Sequence, residues 1–172
     1  MPILNPDHLV EQARILAGAG RKGQRGPPRQ VDLRRAVSSA YYAVFHALLT
    51  AAGDCFVGAL HRGTPRYALV YRAINHGAAR AVCLEASRVR PSDKVRPFLA
   101  ASGFSRDLSS FALHFVRLQE ERHGADYDPL PRLVTAEVLA SIGRAESALR
   151  MFRGVAPVER DVFLTLLAFP PR

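Results

Sequence analysis

Arg122 and His123 stand side by side after a stretch in which Phe104, Leu108, Phe111, Phe115 and Leu118 recur at alternating spacings of four and three. Arg122 is the next position of that seam. A guanidinium there must snorkel to solvent, meet a carboxylate or hold a phosphate, because burying it unpaired is expensive. His123 adds an imidazole, a group able to take up or give up a proton. Together they place a cation that can hold a negative charge beside a group that can transfer a proton. Arg117 with His123 is an alternative register, about 120° apart on a helix, so the two could share a site only where the helix ends first. The structural alternative gives Arg122 a last-turn position favoured by the helix dipole, with Gly124 ending the helix and Asp126 or Asp128 as partner. Ala125 to Pro129 then reads as a tight turn with Asp128 bonding its own downstream amides. Arg117, Asp126 and Tyr127 complete the candidate binding set.

The other histidines compete poorly. His46 lies beside Phe45 inside an apolar helix, as a hydrogen-bonded core residue, and His114 precedes Arg117 by one turn as a solvated neighbour. His8, His61 and His76 fall in helix-end or loop contexts with no partner at metal-ligand spacing. The chain has no HxxxH, no GxSxG and no phosphate-cradling glycine loop, so neither a metal nor a cofactor is expected.

These residues need helices to position them. Leu33 to Gly53 is apolar on nearly all sides: Leu33, Val37, Ala40, Val44, Ala47 and Ala51 form one stripe, and Tyr41, Phe45, Leu48 and Ala52 an adjoining one. This is the central helix, stopped by Gly53 and Asp54. Arg34, Arg35, the tyrosine pair and His46 argue against a membrane span. A first helix starts at Asn5-Pro6-Asp7 and runs to about Ala19. A third covers about Pro65 to Ser87, with Leu69 and Leu84 in its stripe and a kink or break near Asn75 to Gly77. Pro91 and Pro97 flank a short turn at Ser92-Asp93. The seam helix follows, then one from an N-cap at Thr135 to Arg153 and Gly154 with Val138, Leu139, Ile142, Ala145 and Leu149 inward, and a last one from Pro157 to Phe169. With no alternating strand pattern, the chain is an all-α bundle with extra short helices, one domain over 1–172.

Composition frames the partners. The chain has 172 residues and a formal net charge of +9, which its 22 Arg dominate over 2 Lys. The Arg excess suits phosphate; a base-composition bias would also produce it. The loop 20–30 holds Arg21, Lys22, Arg25 and Arg29 with no acid, either a solvated connector or a mobile arm for a polyanion. Cys55 and Cys83 are isolated, which points to a reducing, cytoplasmic setting, and the first residues show no export signal.

The string RRAVSSAYYAVFHALL of the central helix and the later RHGADYDP resemble the HEPN superfamily over a core of roughly 32–153. The resemblance implies an up-and-down four-helix bundle that forms a homodimer with the second motif facing its symmetry mate. It also implies one of two activities: a nucleotide-, RNA- or partner-binding module, as in toxin–antitoxin systems or beside a minimal nucleotidyltransferase, or a metal-independent ribonuclease that cleaves RNA through the neighbouring 2′-hydroxyl, His123 acting as general base or acid and Arg122 stabilising the charge on the phosphorane. Catalytic members carry, beyond the arginine and its polar neighbour, a histidine about four to six residues after that arginine. This chain has Tyr127 there, which favours the binding module.

Overall fold

The computed structural model describes residues 3–18 and 26–171, so Arg21, Lys22 and Arg25 lie outside the described residues. Among these residues there are seven α-helices and no strand: α1 Pro6–Leu16, α2 Gln30–Phe56, α3 Pro65–Ala73, α4 His76–Ala86, α5 Arg106–Tyr127, α6 Thr135–Gly154 and α7 Pro157–Ala168. The chain is an all-α bundle, as the periodicity implies.

α2 is the hub and packs against α1, α3, α5, α6 and α7. Both of its apolar stripes are used: Leu33, Val37, Ala40, Tyr41, Val44, Leu48 and Ala52 are all buried. Side-chain pairings give the helix directions. Ser38 meets Asp126 while Tyr41 and Phe45 meet Phe115, so α2 and α5 are antiparallel. Ser141 meets Glu121 while Phe152 stacks on Phe111, so α5 and α6 are antiparallel. Arg14 pairs with Glu146 and Arg153 with Asp7, which sets α1 antiparallel to α6. α1, α2, α5 and α6 therefore alternate up and down around one contiguous core that extends from Val10 to Leu167.

Several boundaries differ from the sequence reading, each for a local reason. α1 starts as expected, with Asn5 Oδ1 accepting the Asp7 N–H at 2.9 Å, but ends at Leu16 rather than Ala19. α2 runs from Gln30, with Asp32 in its first turn, to Phe56. The expected stop at Gly53 and Asp54 is not one: Gly53 sits inside the helix because the Tyr67 ring lies on it, and a Cβ there would come within 2.8 Å of Tyr67 Cε1. The third helix breaks at Ile74 and Asn75, where Asn75 Oδ1 caps α4 by accepting the Ala78 N–H at 2.8 Å. That break resets the helical phase, which is why Leu69 and Leu84, placed inward by a continuous stripe, are exposed. α6 is capped by Val134 rather than Thr135, with Glu137 reaching back to the Val134 N–H, and Leu139 faces outward while Val138, Ile142, Ala145 and Leu149 are buried.

The change that matters most is at the end of α5. Ser105 caps it, Leu108, Phe111, Phe115 and Leu118 are fully buried, and the helix passes through Gly124 to Tyr127. Its C-terminus is held by Arg34 of α2, whose guanidinium donates to the carbonyls of Ala125 and Asp128 at 2.7 Å each and of Pro131 at 2.8 Å. A cation collecting orphan carbonyls supplies the termination that Gly124 would otherwise provide.

Candidate functional site

Because α5 continues through Gly124, Asp126 and Tyr127 are helical, not a turn, and each lies one turn beyond a residue of the Arg122–His123 pair. Arg122 Nε approaches Asp126 Oδ2 at 2.7 Å, with the two side chains 17% and 20% exposed. His123 sits against the Tyr127 ring, centroids 5.0 Å apart. The expected bond from Asp128 to its own downstream amide is present, from the Leu130 N–H at 3.0 Å.

Arg122 points back across the bundle to α2. It donates from Nη2 to the Tyr42 hydroxyl at 2.9 Å, and its guanidinium carbon lies 5.5 Å from the Tyr42 ring centre and 5.3 Å from that of Tyr127. Asp126 is in turn anchored by the Ser38 hydroxyl at 2.5 Å. The small residue at position 38 therefore has a second use besides close packing: it orients the carboxylate beside Arg122. The Arg122–Asp126 contact is an ion pair by distance, but the Nε–H is not aligned with the carboxylate and is buried without a hydrogen-bond partner among the described residues. Burial works against the Arg122 cation, yet the oxygens of Tyr42 and Asp126 outweigh it and its pKa is raised. Of the five N–H donors that a guanidinium carries, the bond to Tyr42 uses one.

A broad open cleft of about 1020 Å³ lies against this guanidinium. Arg122, His123, Gln119, Tyr127 and Asp128 border it from α5 and its end, and His76 and Arg80 from α4. His76 is the residue that reading the sequence in order misses, because it is remote from Arg122 along the chain and placed there only by the break that starts α4. Its Nδ1 is 2.7 Å from the Tyr41 hydroxyl, its ring lies 4.1 Å from that of Phe45, and Gln119 donates to its carbonyl. Burial, reinforced by the positive charge of Arg122, lowers the His76 pKa and favours the neutral ring at pH 7. The signal available in advance was the Asn75-His76 cap sequence, which marks a new helix whose first residue faces the chain around it.

The other candidates are placed elsewhere. Arg117 is largely exposed and pairs with Glu121 at 3.0 Å on the side of α5 facing α6, outside the residues bordering the cleft, so the alternative register with His123 is not assembled. Arg29 is not part of a free basic arm: it precedes α2 and donates to both carboxylate oxygens of Asp32, at 3.0 and 3.1 Å. His46 is hydrogen-bonded as expected, its Nδ1 2.6 Å from the Tyr71 hydroxyl, but is half-buried rather than in the core; that burial lowers its pKa. Cys55 and Cys83 are both free, the second fully buried. No described helix is long and apolar enough to cross a membrane. The chain matches no protein-family model, no curated protein and no solved structure.

Proposed function

We propose that this chain is a HEPN-like helical module that binds RNA or a nucleotide phosphate in the Arg122 cleft. One observation carries the reading: a guanidinium fixed by Tyr42 and Asp126 borders a cleft of about 1020 Å³ with most of its donors uncommitted. Such a group binds an anion at little reorganisation cost, because its own partners already hold it in place. The net charge of +9 supports a polyanionic ligand. Loss of Arg122 should remove a contact to a charged group, so Arg122→Gln should weaken binding of a fluorescein-labelled oligouridylate by about tenfold, or about 1.4 kcal/mol, in an anisotropy titration. Binding equal to that of the wild type would sink the proposal. The same resemblance adds a second copy of the chain, a small nucleotidyltransferase or a toxin–antitoxin partner. A light-scattering mass of about twice 18.9 kDa would support the homodimer, and a monomer would remove it.

A second reading, a metal-independent ribonuclease, is favoured by His76 and His123 bordering the same cleft as Arg122. In that reaction the 2′-oxygen attacks phosphorus, and its proton passes to neutral His76. The phosphorus–O5′ bond breaks, and O5′ takes a proton from His123 acting as general acid, leaving a 2′,3′-cyclic phosphate. Arg122 stabilises the charge on the phosphorane. Cleavage of oligouridylate in EDTA that His76→Gln and His123→Gln each abolish would establish it. An intact substrate across pH 6 to 8 leaves the binding module.

A further inference from the structure

The positive charge is unevenly distributed. Between Arg62 and Arg106 lie eight arginines and one lysine against only Glu85 and Asp93, so this stretch carries seven of the nine net charges. Structurally it is α3, α4 and the segment that follows them. That segment folds back on α4: Glu85 accepts the Ser92 N–H at 2.8 Å and pairs with Arg88, and Val95 is buried in the core. The fold-back turns cations outward. Arg88 and Arg96 are more than half exposed beside their local acids, and exposed Arg90 and Lys94 have no hydrogen bond or ion pair among the described residues. Phe98 is 56% exposed among them. At the other end of α4, His76 borders the Arg122 cleft, as does Arg80 one turn on, paired with Glu120 at 2.8 Å. The helix between has 11 residues, so the cleft and the exposed cations are about 16 Å apart along its axis.

We infer that Arg88, Arg90, Lys94 and Arg96 form a track for the phosphate backbone of a single-stranded nucleic acid that leaves the Arg122 cleft along α4. The inference rests on the proposed nucleic-acid reading of that cleft. Arginine forks suit phosphate oxygens, and an exposed aromatic ring among them offers a face on which a base stacks, the combination that binds single strands without sequence preference. Lipid headgroups share the phosphate chemistry, but a cleft bordered by Arg122 and Tyr127 one helix length from the cations favours an extended strand over a flat surface.

The test titrates a fluorescein-labelled twelve-residue oligouridylate against the full chain over a salt series. Three proteins are compared: the wild type, the quadruple variant Arg88→Gln, Arg90→Gln, Lys94→Gln, Arg96→Gln, and Arg122→Gln. The four track side chains are exposed, so a thermal melt should show the quadruple variant folded. Each phosphate contact on a single strand contributes about 0.7 to the slope of log affinity against log salt, so losing four should make the slope shallower by about 3 and weaken binding at low salt by tenfold or more. An unchanged slope in the quadruple variant, with binding weakened in Arg122→Gln, would overturn the track and leave the cleft reading standing. Absence of oligouridylate binding by the wild type would overturn both. Binding of phosphatidylserine vesicles without oligouridylate binding would overturn the track in favour of a membrane surface.

Discussion

Replacing Arg122 with alanine separates a structural role from a ligand-holding one, and the geometry sets the expected size. The change removes a hydrogen bond from a charged donor to the Tyr42 hydroxyl, worth about 1.5–3 kcal/mol where it is desolvated. It also removes an ion contact with Asp126 and the packing of the guanidinium between two tyrosine rings, together about 1 kcal/mol at this partial exposure. Two terms oppose that loss. The buried, unpaired Nε–H disappears, which returns about 1 kcal/mol, and Asp126 keeps its bond from Ser38 and so is not stranded. The net cost is about 1.5–3 kcal/mol, and at about 2–4 °C per kcal/mol for a chain of this size the melting midpoint should fall by about 3–12 °C. Scanning calorimetry with and without oligouridylate is the assay. The apo midpoint should drop, and the stabilisation by ligand should shrink as well, because a bound state that gains no contact gains no stability. An apo midpoint within about 1 °C of the wild type would refute the ledger and mean that Tyr42 and Asp126 hold Arg122 at a cost matched by their contacts.

Three further outcomes follow from other parts of the bundle. Gly53→Ala gains up to about 1 kcal/mol of helix propensity but drives a Cβ into the Tyr67 ring, an overpacking cost of about 1–3 kcal/mol, so urea unfolding should show net destabilisation; a more stable variant would mean that α3 moves aside freely. Burial opposes the Asp54 carboxylate, but the Arg62 guanidinium and the Tyr67 hydroxyl outweigh it and lower its pKa below the usual 3.8. Its contribution is therefore present above that ordinary value and lost as pH falls through the lower folded value, so the stability gap between wild type and Asp54→Asn should narrow below about pH 4; a gap constant with pH contradicts the pairing. Arg34→Met strips the donors from the carbonyls that end α5 and should speed amide exchange at residues 126–132 while the buried helices stay protected, and it should weaken oligouridylate binding because Tyr127 and Asp128 border the cleft.

The bundle was legible in the sequence because its signal is local and periodic. α2, α5 and α6 each carry apolar residues at helical spacing over at least 20 positions, and burial follows that spacing at Leu33, Val37, Tyr41, Phe111, Phe115 and Ile142. The errors fall at ends, where a remote residue decides. Gly53 looks like a stop because glycine tolerates the conformations that end helices, but the ring of Tyr67 requires the absence of a side chain at that point. Gly124 looks like a stop for the same reason, yet Arg34 holds the carbonyls beyond it.

That second error changes the candidate site. With α5 ended at Gly124, Arg122 is a last-turn cation and Asp126 and Tyr127 belong to a loop. With α5 continued, the same three residues form one rigid set, Asp126 fixed by Ser38 and Arg122 held between the rings of Tyr42 and Tyr127. The seam pattern identifies Arg122 from sequence because its clue is spacing. His76 escapes the same search because its clue is a helix break that brings α4 beside Gln119, more than 40 residues along the chain. A site assembled from one residue on a periodic seam and another at a helix start is half visible to pattern reading, and the visible half is the one that also supports the fold. Arg122 therefore both braces the fold and borders the cleft, whereas His76, with its ring in the cleft wall and its Nδ1 tied to Tyr41, is the position where, on the proposed reading, a substitution should alter the cleft with the seam left intact.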